Sequence, residues 1–192
     1  MATQKQRAET TRAQLIRAFR ESFLKSGYDA TTTQHILDQT GLSKGAMYHH
    51  FRGKSEIMQA VYEHEVQNAF DRAIARIAEI RSPVSRVEEL YLAWMEEIKS
   101  PSVSAILFEI GPKALGPYKA RRIDDRLTRQ HIEAMLNEAI EIGEIDQCDP
   151  RLVVSLLNGL VVEAALHRLH TGNDPTPELQ KTLNAALNAF GK

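Results

Sequence analysis

All seven prolines lie beyond residue 82, and four follow directly on a residue that caps helices: Ser82-Pro83, Ser100-Pro101, Asp149-Pro150 and Thr176-Pro177. A serine, threonine or aspartate accepts a bond from a free amide of the first helical turn. Proline suits the next position, because its missing N–H would go unsatisfied there and its φ is preset. Each pair therefore marks a helix start, and Gly116-Pro117 adds a fifth, with that helix closing at Gly143. The expected helices run near 83–99, 101–110, 117–142, 150–170 and 177–190. No proline interrupts 54–81, where Ile57, Val61, Val66, Phe70, Ile74 and Ile77 keep helical spacing, so one long helix is expected there. In the first segment Leu15, Phe19 and Phe23 recur every four residues, with Gly27 as the expected C-cap. Sustained period-two alternation and Asn-Gly or Asp-Gly hairpin turns are missing. The chain reads as all-α, with about nine helices.

Charge divides the chain unevenly. Residues 1–55 hold nine Lys/Arg against four Asp/Glu, an excess of five, whereas the whole chain carries -1. A basic head on an acidic body suggests a polyanionic partner for the head, although a solvated basic surface gives the same count. The single cysteine, Cys148, excludes a disulfide framework. The first ten residues are polar and lack a signal core. The most apolar stretch, Leu152 to Leu166, is broken by Ser155, Asn158, Gly159 and Glu163, so no membrane span is expected. These readings point to a cytoplasmic protein.

Residues 31–51 carry the sharpest local pattern. Thr31 and Thr32 are N-cap candidates for a short helix through Ile36 and Leu37. Gly41 fits a left-handed C-cap, and Ser43 caps a second short helix from Lys44 to His50. Two short helices around a glycine turn form a helix-turn-helix, whose second helix can enter the major groove. Gly45 and Ala46 keep the first turn of that helix slim enough to approach a phosphate or base edge. Met47 and Phe51, four apart, share the inward face. Tyr48 and His49 then point elsewhere, where a phenol and an imidazole can reach DNA. Lys54 and Ser55 open the long helix and offer a cation and amide donors to a phosphate.

These residues resemble the TetR/AcrR family of bacterial transcription regulators. The resemblance rests on Gly27-Tyr28-Asp29-Ala30-Thr31-Thr32, Ile36, the run Gly41-Leu42-Ser43-Lys44-Gly45-Ala46-Met47-Tyr48-His49-His50-Phe51, and Lys54 with Ile57. It covers about the first sixty residues and implies a homodimer on a pseudo-palindromic duplex operator, repression, and release by a small effector. It also implies a DNA-binding domain at 1–53 and a ligand-binding and dimerisation domain at 54–192. Carried over by position, Thr31 or Thr32, Tyr48 and Lys54 would hold phosphates, with Ser43 as the cap of the reading helix. Lys44, Gly45, Ala46 and His49 would lie against bases. The segment Phe108–Gly116 is similar to a helix-breaking stretch in part of the family.

In the body, apolar residues cover most of the circumference of 150–170, so that helix must be buried on two sides. Leu156 and Leu160, with the final helix's Leu179, Leu183, Leu187 and Phe190, are the expected dimer interface; the central helix of a monomeric bundle is the other reading. Phe70, Tyr91, Trp94, Met95, Phe108, His131, Met135 and His167 are the effector-pocket candidates. Most such side chains simply fill a core. Glu163 is expected in solvent. His167 and His170 are three apart, but no Cys or Glu completes a metal set, and no cofactor is expected. No phosphate loop, nucleophile elbow or His-Glu-x-x-His appears. A helical protein-interaction module and a small helical enzyme remain the competing classes; salt-sensitive duplex binding separates them from a regulator.

Overall fold

A computed structural model of the chain describes residues 3–190. Residues 1, 2, 191 and 192 lie outside it, and with them the outer ends of both expected domains and the first two positions of the polar start. The described residues form α1 (Gln4–Ala30), α2 (Thr33–Thr40), α3 (Lys44–His50), α4 (Lys54–Arg76), α5 (Pro83–Glu97), α6 (Pro101–Ser104), a π-helical turn (Ala105–Ile110), α7 (Gly111–Leu115), α8 (Pro117–Glu141), α9 (Pro150–Thr171) and α10 (Thr176–Asn188). Counted with 101–115 as one run, the helices number nine, and no strand occurs among the described residues. The all-α expectation is met.

Packing divides the described chain into two units. One holds the head to Val66 together with Ser104–Ile123; the other holds Gln67–Val103 and the chain from Asp124 onward. This cut differs from the expected functional division at 53/54: the first half of α4 and the segment Ser104–Ile123 are packed with the head. In the first unit, α1 packs on α2, α3 and the π-helical turn. Its core includes Leu15, Phe19, Phe23, Ile36, Met47, Phe51, Ile57 and Val61. Arg20 clamps the buried Glu65 of α4 with two bonds, Nε to Oε2 at 2.5 Å and Nη2 to Oε1 at 3.0 Å. Such a fork fixes orientation as well as charge. In the second unit, α10 packs on α5 and α9, and α5 on α9.

Several expected boundaries move, each for a local reason. Gly27 does take a positive φ of 80°, but α1 kinks there and continues to Ala30. The long helix α4 ends at Arg76, and residues 77–79 turn instead of continuing to 81. Ser82 and Asp149 cap α5 and α9 through bonds from Ser85 N and Arg151 N. Thr176, expected as a cap, lies inside α10; Asp174 instead accepts from its amide at 3.1 Å and its hydroxyl at 2.6 Å. Those bonds hold the Asp174 carboxyl well below its usual range, at about 2. Helix 101–110 does not break at Gly111-Pro112. The π register accommodates the proline, and the helix runs on to Leu115 and stops at Gly116.

By length and composition α9 is long enough and apolar enough to cross a membrane, contrary to the reading of 152–166. The helix extends to Pro150 and Thr171, and its apolar character comes from having two apolar faces. Val153, Val154, Leu157, Val161 and Ala165 are buried in the unit. Leu152 and Leu156 lie on the opposite side and are exposed.

Candidate nucleic-acid interface

The turn between α2 and α3 is built by its end residues. Thr32 caps α2 by accepting from His35 N at 3.2 Å, and Gly41 ends it at φ 67°, where its N–H bonds to Leu37 O at 2.9 Å. A side chain at such a φ is strained, so glycine fits. Ser43 then caps α3 by accepting from Ala46 N at 3.1 Å. Met47 and Phe51 are buried, anchoring α3 on α1. With that face fixed, Ser43, Lys44, Gly45, Tyr48 and His49 are exposed and Ala46 half-buried. Tyr48 is 48% exposed, a large aromatic on a surface with Lys44 Nζ 5.9 Å from its ring centroid. A Cβ added at Gly45 would meet only Ser43 Oγ, at 3.9 Å, so the space in front of this turn is open. The exposed face thus combines a slim first turn, a cation, a phenol and the His49 imidazole, with the half-buried His50 ring 5.1 Å from that of His49. Burial holds the His50 imidazole below its ordinary value, with smaller contributions from His49 and Arg12.

Two expected phosphate contacts have other work. Thr31 is 1% exposed; its hydroxyl donates to Gly27 O at 2.8 Å and lies 3.1 Å from Ser22 Oγ. Thr32, which is exposed, is the cap and the residue open to a phosphate. Lys54 Nζ donates to the carbonyls of Tyr28 at 2.9 Å and Thr31 at 3.0 Å, lies 3.4 Å from Asp29 O, and sits 4.4 Å from the Tyr28 ring centroid. The end of α1 leaves carbonyls without helical partners, and a cation there satisfies them. Lys54 is therefore a cap for α1. Sequence reading missed this role, and also the Arg20–Glu65 clamp. The signal for the clamp was an acid, Glu65, set among the apolar positions of α4.

The body residues separate as well. Leu179, Leu183 and Leu187 are buried within their own unit, Leu183 completely, so they do not form the outward face assigned to them. Phe190 is half-buried, and its carbonyl accepts from Asp146 N at 2.6 Å. The outward apolar residues are Leu152 and Leu156, at 57% and 60% exposure, with Val162, and Leu160 is half-buried. Glu163 is exposed, and with His167 and Leu160 it lines an open groove of about 440 Å³ between α9 and the start of α10.

Of the effector-pocket candidates, Phe70, Tyr91 and Met95 are buried, Trp94 and Met135 half-buried, and His131 exposed with its ring 5.3 Å from Phe70. Phe108 belongs to the other packing unit, and His167 lines the surface groove. Tyr91 donates to Asn158 Oδ1 at 2.8 Å, and burial pushes its phenol far up. Asn158, noticed only as an interruption in an apolar helix, is its partner.

Residues 8–61 match the model of bacterial regulatory proteins of the tetR family, and residues 84–190 match that of the tetracyclin repressor-like C-terminal domain. The transcriptional regulator SrpR of Pseudomonas putida is 28% identical over 194 residues, covering 95% of this chain and 84% of SrpR. The transcriptional repressor KstR2 of Mycobacterium tuberculosis is 26% identical over 135 residues, covering 69% of this chain and 68% of KstR2. Among solved structures, a TetR-family regulator from Pectobacterium atrosepticum shares the fold at TM-score 0.79 and 24% identity, covering 99% of this chain and 98% of that one. With its helix-turn-helix and the C-terminal domain together, the chain belongs to the tetR family of DNA-binding bacterial transcription regulators and is not an enzyme.

Proposed function

We propose that this regulator represses transcription as a homodimer on a pseudo-palindromic operator and leaves it when a small molecule enters the body. The observation that carries the DNA reading is α3: Met47 and Phe51 lock one face inward, leaving Lys44, Gly45, Tyr48 and His49 on the other. Thr32, Ser43 and Tyr48 hold phosphates, and Lys44, Gly45, Ala46 and His49 lie along base edges. The dimer reading is supported by the outward Leu152, Leu156 and Val162 of α9, together with Leu160. A two-fold pairing of this face covers the leucines of both subunits and presents two α3 helices to half-sites one helical turn apart. Work on DNA is done in the bacterial cytoplasm.

The effector site draws on Phe70, Tyr91, Trp94, Met95, His131 and Met135. The Tyr91–Asn158 pair is a buried polar anchor, with the Arg129–Asp125 ion pair near enough to act on the phenol, which suits a small molecule that carries a hydrogen-bonding group. Release requires only that effector and DNA favour different conformations of the chain, with α4 as the element whose swing moves α3 out of register. Repression is supported by the name of the relative KstR2.

The test is selection of duplexes from a random pool by the purified chain, then titration of the winner at two salt concentrations. A pseudo-palindromic winner with a steep salt dependence supports the reading. Weak, salt-insensitive binding with no enrichment overturns it.

A further inference from the structure

The packing unit that carries the helix-turn-helix has a second basic surface. Residues 113–122 hold Lys113, Lys119, Arg121 and Arg122 and no acid. The stretch lies in Ser104–Ile123, which is packed with the head. α7 stops at Gly116 and α8 starts at Pro117, so Tyr118 and Lys119 occupy the first turn of a 25-residue helix, where amides lack helical acceptors. At helical spacing Tyr118, Arg121 and Arg122 share the side opposite the buried Ala120 and Ile123, with Lys119 at its edge in the first turn.

That side is open. Tyr118 is 76% exposed, and Lys119, Arg121 and Arg122 are exposed. Among the described residues these three cations have no carboxylate partner; the Arg122 guanidinium lies 5.9 Å from the Tyr118 ring centroid. The acid that helical spacing places on this side, Asp125, is already paired with Arg129 at 2.9 Å, which leaves the three cations and the exposed aromatic to suit a polyanion.

Its place in the unit favours the same partner as α3. Lys113 Nζ lies 3.6 Å from Asp29 Oδ2, beside the turn that leads to Thr32 at the head of α2. Lys119 is six residues further on, a reach of at most about 21 Å even for extended chain.

We propose that Tyr118, Lys119, Arg121 and Arg122 form a second duplex contact that grips phosphates apart from those held by Thr32, Ser43 and Tyr48 and reads no bases. This rests on the DNA reading of the head. The contact adds affinity and salt dependence without sequence preference, because phosphates carry no base information.

The experiment compares two triple variants on the duplex that the wild-type protein selects. One is Lys119→Ala/Arg121→Ala/Arg122→Ala. The other, Arg81→Ala/Arg151→Ala/Lys181→Ala, removes the same charge from exposed positions of the other unit. Affinities are measured between about 50 and 200 mM salt, with circular dichroism confirming helicity. The first triple is expected to bind about tenfold more weakly and to lower the slope of log K against log salt by about 0.9 for each phosphate it no longer grips. Its base preference stays that of wild type, and the control triple changes affinity less than about twofold. Arg121→Lys/Arg122→Lys retains the slope, since gripping a phosphate needs the charge more than the guanidinium fork.

Equal behaviour of the two triples overturns the proposal, because net charge then explains the effect. Wild-type DNA binding by the first triple also overturns it, as does loss of its capture by phosphatidylcholine–phosphatidylserine vesicles with DNA binding intact, which would assign the patch to a membrane surface. If the wild-type protein selects no duplex, the reading of the head itself has failed, an outcome distinct from all of these.

Discussion

α3 and α10 are both short amphipathic helices, yet the roles of α3 side chains follow from spacing while those of α10 do not. In α3 the apolar positions are few. Met47 and Phe51 must go inward, which leaves Tyr48 and His49 outside. In α10 the stripe Leu179, Leu183 and Leu187 is equally regular, but regularity states only that it needs cover. Its cover is α5 and α9 of its own unit. The residues left for a partner are on α9, where the inward and outward faces are both apolar. A periodic stripe thus locates a buried face without saying whether the burial is within a subunit or between two.

The largest expected effect tests that distinction. Leu183→Ala removes a fully buried side chain and should cost about 3 kcal/mol in chemical denaturation. Leu156→Ala should leave the stability of the separate subunit within about 0.5 kcal/mol, as for an exposed site. Leu156→Glu should shift size-exclusion elution from dimer to monomer and weaken operator binding. Equal destabilisation by both alanine variants would return α10 and α9 to the same status.

Lys54 gives the next effect. Lys54→Met removes charged bonds to the carbonyls that end α1, so thermal unfolding should report a loss of about 2 kcal/mol. The salt slope of DNA binding should stay unchanged. A slope lower by about 0.9 would mean that the ammonium serves a phosphate after all.

Gly45→Ala separates folding from reading within α3. The added methyl meets open space, so the free protein should gain up to about 1 kcal/mol from helix propensity. Operator affinity should fall, because the same space is where the duplex approaches. Tighter binding would show that this turn does not face DNA.

The smallest effect is a pH dependence within the head. His50 titrates below its ordinary value in the folded chain, so unfolding takes up a proton in the window beneath about 6.5. Its contribution to stability is complete above that pH and declines as pH falls through the window. Denaturation midpoints at pH 7.5 and 5.5 should therefore differ more for wild type than for His50→Asn, in the sense of lower stability at the acid pH. A difference as large in the variant would remove His50 from the explanation.

The helix order, the glycine turn and the caps at Ser43, Ser82 and Asp149 were legible because each depends on one or two neighbouring residues. Of the pair Thr31 and Thr32, packing turns Thr31 inward onto Gly27 and Ser22, and Lys54's bonds to the carbonyls of Tyr28 and Thr31, 26 and 23 residues away, likewise answer to packing that spacing does not show. The same holds for Arg20–Glu65 and Tyr91–Asn158, 45 and 67 residues apart. The π-helical turn escaped notice because Gly111-Pro112 reads locally as a stop, whereas a register change keeps the helix going.

Parallel selections from one random duplex pool by the wild-type protein and by His49→Ala test most directly whether the exposed side of α3 reads DNA. Wild type should enrich two symmetric half-sites, and the variant should lose preference at the same position in each half while keeping the others, at a cost of about 1–3 kcal/mol for that base pair. An identical motif from both proteins would contradict the placement of α3 against the bases.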